Sequence, residues 1–130
     1  YTILSMLKKL LHTRYRVNDL EATVKFYRDV LGLQQTRRSK SGRGSELVFF
    51  KAPGSDEEIE ICHFPPSGPV TMGPDVTHLA FSVDDLDAFA AHIKQHGVSF
   101  SDGPHGEKPR RMAFVDGPEG FEFEIIERPG

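Results

Sequence analysis

The sequence holds one cysteine, Cys62, in 130 residues, so no disulfide can form within the chain and a reducing, cytoplasmic setting is expected. No apolar run approaches the roughly 18 residues of a membrane-spanning helix, and no signal peptide with a charged start and a small-residue cleavage site is recognisable. A large excess of one charge is also missing. Sixteen Lys and Arg against 19 Asp and Glu leave a net charge of −3, which argues against a dominant nucleic-acid-binding surface. The 38% hydrophobic and 27% charged content is that of a globular chain, and its length suits one domain. Met6 reads as a native start, leaving residues 1–5 as a non-native remnant.

What the sequence does contain is an internal repeat. LLHTRYRVNDL at 10–20 aligns with VTHLAFSVDDL at 76–86, placing His12 over His78, Val17 over Val83 and Leu20 over Leu86 at a constant offset of 66. FFKAPGSDEEIEI at 49–61 aligns with AFVDGPEGFEFEI at 113–125, placing Phe50 over Phe114 and Glu60 over Glu124 at an offset of 64. The lost residues fall in a loop. Each half begins with an alternating strand and continues into a helix. Asn18 with Glu21 reads as a capping box ahead of the stripe Leu20, Val24, Tyr27 and Leu31, with Gly32 as the stop. Asp84, the stripe Leu86, Ala90 and Ile93, and Gly97 repeat the pattern. Strand-like runs follow: ELVFFK and EEIEICHF in the first half, RMAFV and FEFEIIE in the second. The class is α+β, with module one at 7–64, a linker at 65–74 and module two at 75–128, together one domain over 7–128.

Period-two geometry then sorts the side chains. Leu11, Thr13, Tyr15 and Val17 oppose His12, Arg14 and Arg16; Leu79, Phe81 and Val83 oppose His78, Ala80 and Ser82. Ile59 and Ile61 oppose Glu58, Glu60 and Cys62; Phe121, Phe123 and Ile125 oppose Glu122, Glu124 and Ile126. The apolar faces are expected under the helices. The other faces carry one histidine or one glutamate at equivalent places. Taken singly, each polar residue is an ordinary solvent-facing position on an open sheet. Taken together, two imidazoles and two carboxylates suit a divalent transition metal.

These segments resemble the vicinal oxygen chelate superfamily, and within it the short bacterial glyoxalase I (lactoylglutathione lyase) family. The resemblance spans nearly all of residues 7–127 and is strongest in LLHTRYRVNDLEATVKFYRDVLGL, THLAFSVDDLDA and AFVDGPEGFEFEIIE. It implies tandem βαβββ modules in a cupped mixed sheet, with a metal on the concave side held by His12, Glu60, His78 and Glu124. Nickel is favoured, with zinc or cobalt as alternatives. It further implies a homodimer with two ligands from each chain, although closure within one chain stays open. The implied reaction isomerises the hemithioacetal of glutathione and methylglyoxal to S-lactoylglutathione through an enediolate that the metal stabilises. Glu124 is the first choice for the proton-abstracting base, with Glu60 as a ligand that also carries protons. Arg16 matches a family arginine that contacts a glutathione carboxylate. The family's asparagine a few residues past the first glutamate is replaced here, where Cys62, His63 and Phe64 follow Glu60.

Other histidines are expected to be structural: His92 and His96 exposed on the second helix, His63 packed, and His105 in a loop. Cys62 is read as a small filler, and Arg37, Arg38, Arg43, Lys108, Arg110 and Arg111 as a solvated loop rim. Within the superfamily, thiol transferases and extradiol dioxygenases need only two histidines and one glutamate. Coenzyme A thioester epimerases usually carry glutamine where Glu60 stands. Metal-free drug-binding members lack the quartet. These are the alternatives to a lactoylglutathione lyase.

Overall fold

The computed structural model describes residues 6–130, and the expectation about residues 1–5 lies outside them. The first half runs β1 (His12–Arg16), α1 (Leu20–Lys25), β2 (Gln34–Lys40), β3 (Glu46–Lys51) and β4 (Glu58–His63). The second runs β5 (His78–Val83), α2 (Leu86–Lys94), β6 (Asp102–His105), β7 (Met112–Asp116) and β8 (Glu122–Glu127). The strands form two four-stranded mixed sheets of matching order, β1-β4-β3-β2 and β5-β8-β7-β6, with β1 parallel to β4 and β5 parallel to β8. A strand returning parallel needs a crossover, and the helix supplies it.

The stripes named from the sequence carry the packing. Leu20, Val24, Tyr27, Leu86 and Ile93 are buried, as are Ile59, Ile61, Phe121, Phe123 and Ile125 from the sheets. One core joins the two halves, because Phe26 and Tyr27 pack on Phe123 with ring centroids 5.4 and 5.6 Å apart. Phe50, Ile61, Phe123 and Ile125, each at most 2% exposed, contribute about 1.5–3 kcal/mol apiece by leaving water. Gly32 and Gly97 end the helical segments with φ of 69° and 74°, a conformation that glycine adopts without a Cβ penalty. The apolar faces are less fully covered than expected. Leu11 is 66% exposed ahead of β1, and Leu79, Phe81 and Val83 of β5 are only part-buried.

Both helix caps lie one residue beyond the expected ones. Asp19, not Asn18, accepts from the Ala22 N–H, and Asp85, not Asp84, accepts from Asp87 and Ala88. Asn18 instead exchanges two hydrogen bonds with the Val70 backbone in the connecting segment. The Glu119 carboxylate, from the turn between β7 and β8, accepts from the Asn18 and Asp19 N–H groups at 2.7 and 2.8 Å. A side chain of the second half thus finishes the start of α1.

Candidate metal centre

The parallel registers build two matching half-sites. Arg14 lies beside Glu60 across β1 and β4, and Ala80 beside Glu124 across β5 and β8. One pleat earlier, on the same faces, stand His12 and His78. His12 Nε2 is 3.6 Å from Glu60 Oε2, and His78 Nε2 is 3.1 Å from Glu124 Oε1. Each imidazole stands edge-on to a phenylalanine of the next strand, His12 to Phe49 at 5.9 Å and His78 to Phe114 at 5.6 Å. Phe49 is the register partner of Glu60 and Phe114 of Glu124. Phe49 is therefore the structural counterpart of Phe114. The sequence alignment had set Phe50 there, one residue off, because the β3–β4 connection is longer than the β7–β8 one.

The donor set fits a divalent ion. Two ligand atoms each about 2.1 Å from one ion lie at most about 4.2 Å apart, and both pairs meet that limit. Imidazole and carboxylate suit nickel, cobalt and zinc alike. The imidazoles are accessible, at 43% and 44% side-chain exposure, while Glu60 is 4% and Glu124 20% exposed. Among the described residues no group of three or more His, Cys, Asp or Glu side chains converges. The structure brings His12 to Glu60 and His78 to Glu124, and leaves the pairs apart.

Neighbouring charges separate the halves. The Arg14 Nε donates to Glu60 Oε1, leaving Oε2 facing His12. Ala80 offers no such group to Glu124. Glu58, on the same face, is committed elsewhere: its carboxylate accepts from Thr36 Oγ1 at 2.5 Å and Arg37 Nη2 at 3.1 Å, and these contacts hold its pKa below the usual carboxylate range. Arg37 also lies over the Phe49 ring, 3.8 Å from its centroid. Arg16, the expected substrate contact, donates through Nη1 to the Gly68 carbonyl at 2.6 Å.

Several secondary expectations need correction. His92 is part-buried, its Nε2 3.0 and 3.1 Å from the Asp29 and Val30 carbonyls; only an N–H can serve such partners, so it ties α2 to the turn after α1. His105 belongs to β6 and pairs with Asp102 at 2.7 Å. Arg37 and Arg38 lie in β2, not in loops. Arg111 is 11% exposed and bound by Glu127 and Asp87, since Glu127 turns toward the helix side and meets it there. Cys62 is buried, as a filler should be.

A family model described as "Glyoxalase/Bleomycin resistance protein/Dioxygenase superfamily" matches residues 9–125. Lactoylglutathione lyase of Salmonella typhimurium is 33% identical over 124 residues, covering 92% of this chain and 92% of that one. Glyoxalase I from Zea mays superposes with a TM-score of 0.81 at 26% identity, covering 94% of this chain and 45% of the maize chain. TnmS3, an antibiotic binding protein from Streptomyces sp. CB03234, superposes at 0.77 with 21% identity over 98% of this chain and 100% of its own, a likeness of fold alone.

Proposed function

The chain belongs to the glyoxalase/bleomycin resistance protein/dioxygenase superfamily, and on that premise we propose that it is a metal-dependent lactoylglutathione lyase. The reaction is isomerisation of the glutathione–methylglyoxal hemithioacetal to S-lactoylglutathione. The observation that carries this reading is the pair of His–Glu contacts at equivalent registers, 3.6 and 3.1 Å, each on an accessible face.

His12, Glu60, His78 and Glu124 would hold the ion, nickel by preference and zinc or cobalt otherwise. Once bound, a divalent ion supplies Lewis-acid stabilisation of the negative charge that develops when a carbon acid loses its proton. Glu124 takes the proton from the carbon bearing sulfur and returns it to the neighbouring carbon. This assignment is supported by its surroundings: it is partly accessible and has no guanidinium on it, whereas Glu60 is buried and has one oxygen on Arg14. Glu60 then serves mainly as a ligand. Arg16 holds a glutathione carboxylate with the nitrogens that Gly68 does not use.

The separation of the half-sites within the chain supports assembly across a homodimer, His12 and Glu60 of one copy meeting His78 and Glu124 of the other. Leu10, Leu11 and Val76, exposed at 63%, 66% and 69% just ahead of β1 and β5, offer apolar surface that a second copy would cover. No helix among the described residues is long and apolar enough to cross a membrane; the cytoplasmic setting of this proposal is supported by the single cysteine, Cys62.

The test is reconstitution of metal-stripped protein with nickel or zinc and assay on the glutathione–methylglyoxal adduct. S-lactoylglutathione formation with at least one metal is the expected result. Inactivity with both, joined to turnover of a coenzyme A thioester, would replace the reading with the epimerase one.

A further inference from the structure

A cavity of about 500 Å³ opens beside Arg14, between the β2–β3 turn and the segment following β4. Its walls are Arg14, Ser41, Arg43, Ser45, Phe64 and Ser67, with the Gly42 backbone, and no acidic residue lines it. Arg14 spends only its Nε, on Glu60, and its two terminal nitrogens meet no acceptor among the described residues. Arg43 has no side-chain acceptor among them either, and it stands exposed at the tip of the turn. Two guanidiniums with unused donors and three hydroxyls make a site rich in donors, the charge of Arg14 being shared with Glu60 and that of Arg43 unopposed by any acidic residue of the lining.

The turn that presents Arg43 is held in shape. Ser41 Oγ accepts from the N–H groups of Arg43 and Ser45 at 3.3 and 3.1 Å, and the Ser41 N–H donates to the Ser45 carbonyl at 2.8 Å. Phe64 provides an apolar side. Guanidinium forks match oxyanions, so the donors fix the ligand class.

We infer that this cavity is an oxyanion subsite, in which Arg14 and Arg43 together grip a carboxylate or phosphate group of the substrate next to the Glu60 half-site. It adjoins, across Phe64, the smaller cavity of about 140 Å³ around Arg16 and Gly68. It reaches Glu60 through Arg14, and it gives the bound thiol a second anionic anchor. The tie to a thiol substrate rests on the lyase reading; the oxyanion subsite does not.

The test follows backbone amide and arginine Nε signals of the full-length chain by NMR, with and without zinc, during titration with inorganic phosphate and separately with acetate. Saturable shifts are expected at Ser41, Gly42, Arg43 and Ser45 and at the Arg14 Nε, and the tighter of the two anions identifies the group. Arg43→Gln weakens that binding about tenfold, the scale of one charge-assisted contact, and Arg43→Lys restores part of it. In the lyase assay, Arg43→Gln raises KM while kcat stays within about twofold. Absence of saturable shifts, or an Arg43→Gln variant that titrates like wild type, overturns the subsite. A chain that titrates as expected but never isomerises the adduct keeps the subsite and loses the lyase reading; one that isomerises without titrating does the reverse.

Discussion

Arg14 donates from Nε to one carboxylate oxygen of Glu60, its register partner across β1 and β4, and leaves the other oxygen toward His12. The repeat supplies its own control, since Ala80 occupies the matching place beside Glu124. A carboxylate that is 4% exposed needs a donor. Replacing Arg14 with Met is expected to lower the stability of the metal-free chain by about 1–3 kcal/mol, because Glu60 stays buried without its partner. Urea midpoints measure this. Zinc should recover more stability in the variant than in wild type; an unchanged midpoint would show that Glu60 does not depend on the guanidinium.

Glu124→Gln keeps the size and polarity of the side chain and removes its ability to accept the substrate proton. At saturating nickel the kcat is expected to fall about 10²–10⁴-fold, with the thermal midpoint of the metal-free chain little changed. Steady-state kinetics decide it, and retention of most of the activity would remove Glu124 from the role of base.

The Glu119 carboxylate caps α1 from the opposite half of the chain, through the Asn18 and Asp19 N–H groups. Glu119→Ala should therefore cost about 0.5–2 kcal/mol, the usual range for a lost cap. Glu119→Gln, which keeps one acceptor oxygen, should cost less. Chemical denaturation of the two variants ranks them, and equal stability of Ala, Gln and wild type would contradict the contact.

The Arg111 guanidinium, and next the Leu86 N–H, hold the Glu127 carboxyl at about 2, well below the ordinary range near 4.3. A depressed folded-state value means that the stabilisation is present above the ordinary value and is lost as pH falls from there toward 2. Between roughly pH 4.3 and 2, Glu127→Gln should lose stability with acidification less steeply than wild type. Identical slopes in that window would show that Glu127 is not held this way. Other paired acids, Glu46 and Glu58 among them, keep the variant's curve from becoming flat.

Where alternation or a helical stripe was strong, the sequence was legible: β1, β4, β5 and β8, the stripes of both helices and the Gly32 and Gly97 stops. The opposite edges, β2 and β6, were not. β2 reads QQTRRSK and is exposed along its whole length, so no apolar face marks it; β6 is DGPH, four residues of turn-like composition. The capping glutamate came from a hundred residues away, beyond any local capping pattern. In the site, shared faces brought His12 to Glu60 and His78 to Glu124, but the same faces held Glu58 and Arg14. Only the registers show that Glu58 is engaged by Thr36 and Arg37, and that Arg14 is on Glu60. Phe49 was missed because a gapped alignment cannot say on which side of a loop the extra residue falls.

Calorimetric titration with nickel shows whether the two His–Glu pairs serve one ion. One ion per chain is expected in wild type, and loss of that binding in His12→Ala and in His78→Ala alike. Two independent ions per chain, or a His78→Ala variant that binds nickel as tightly as wild type, would contradict it.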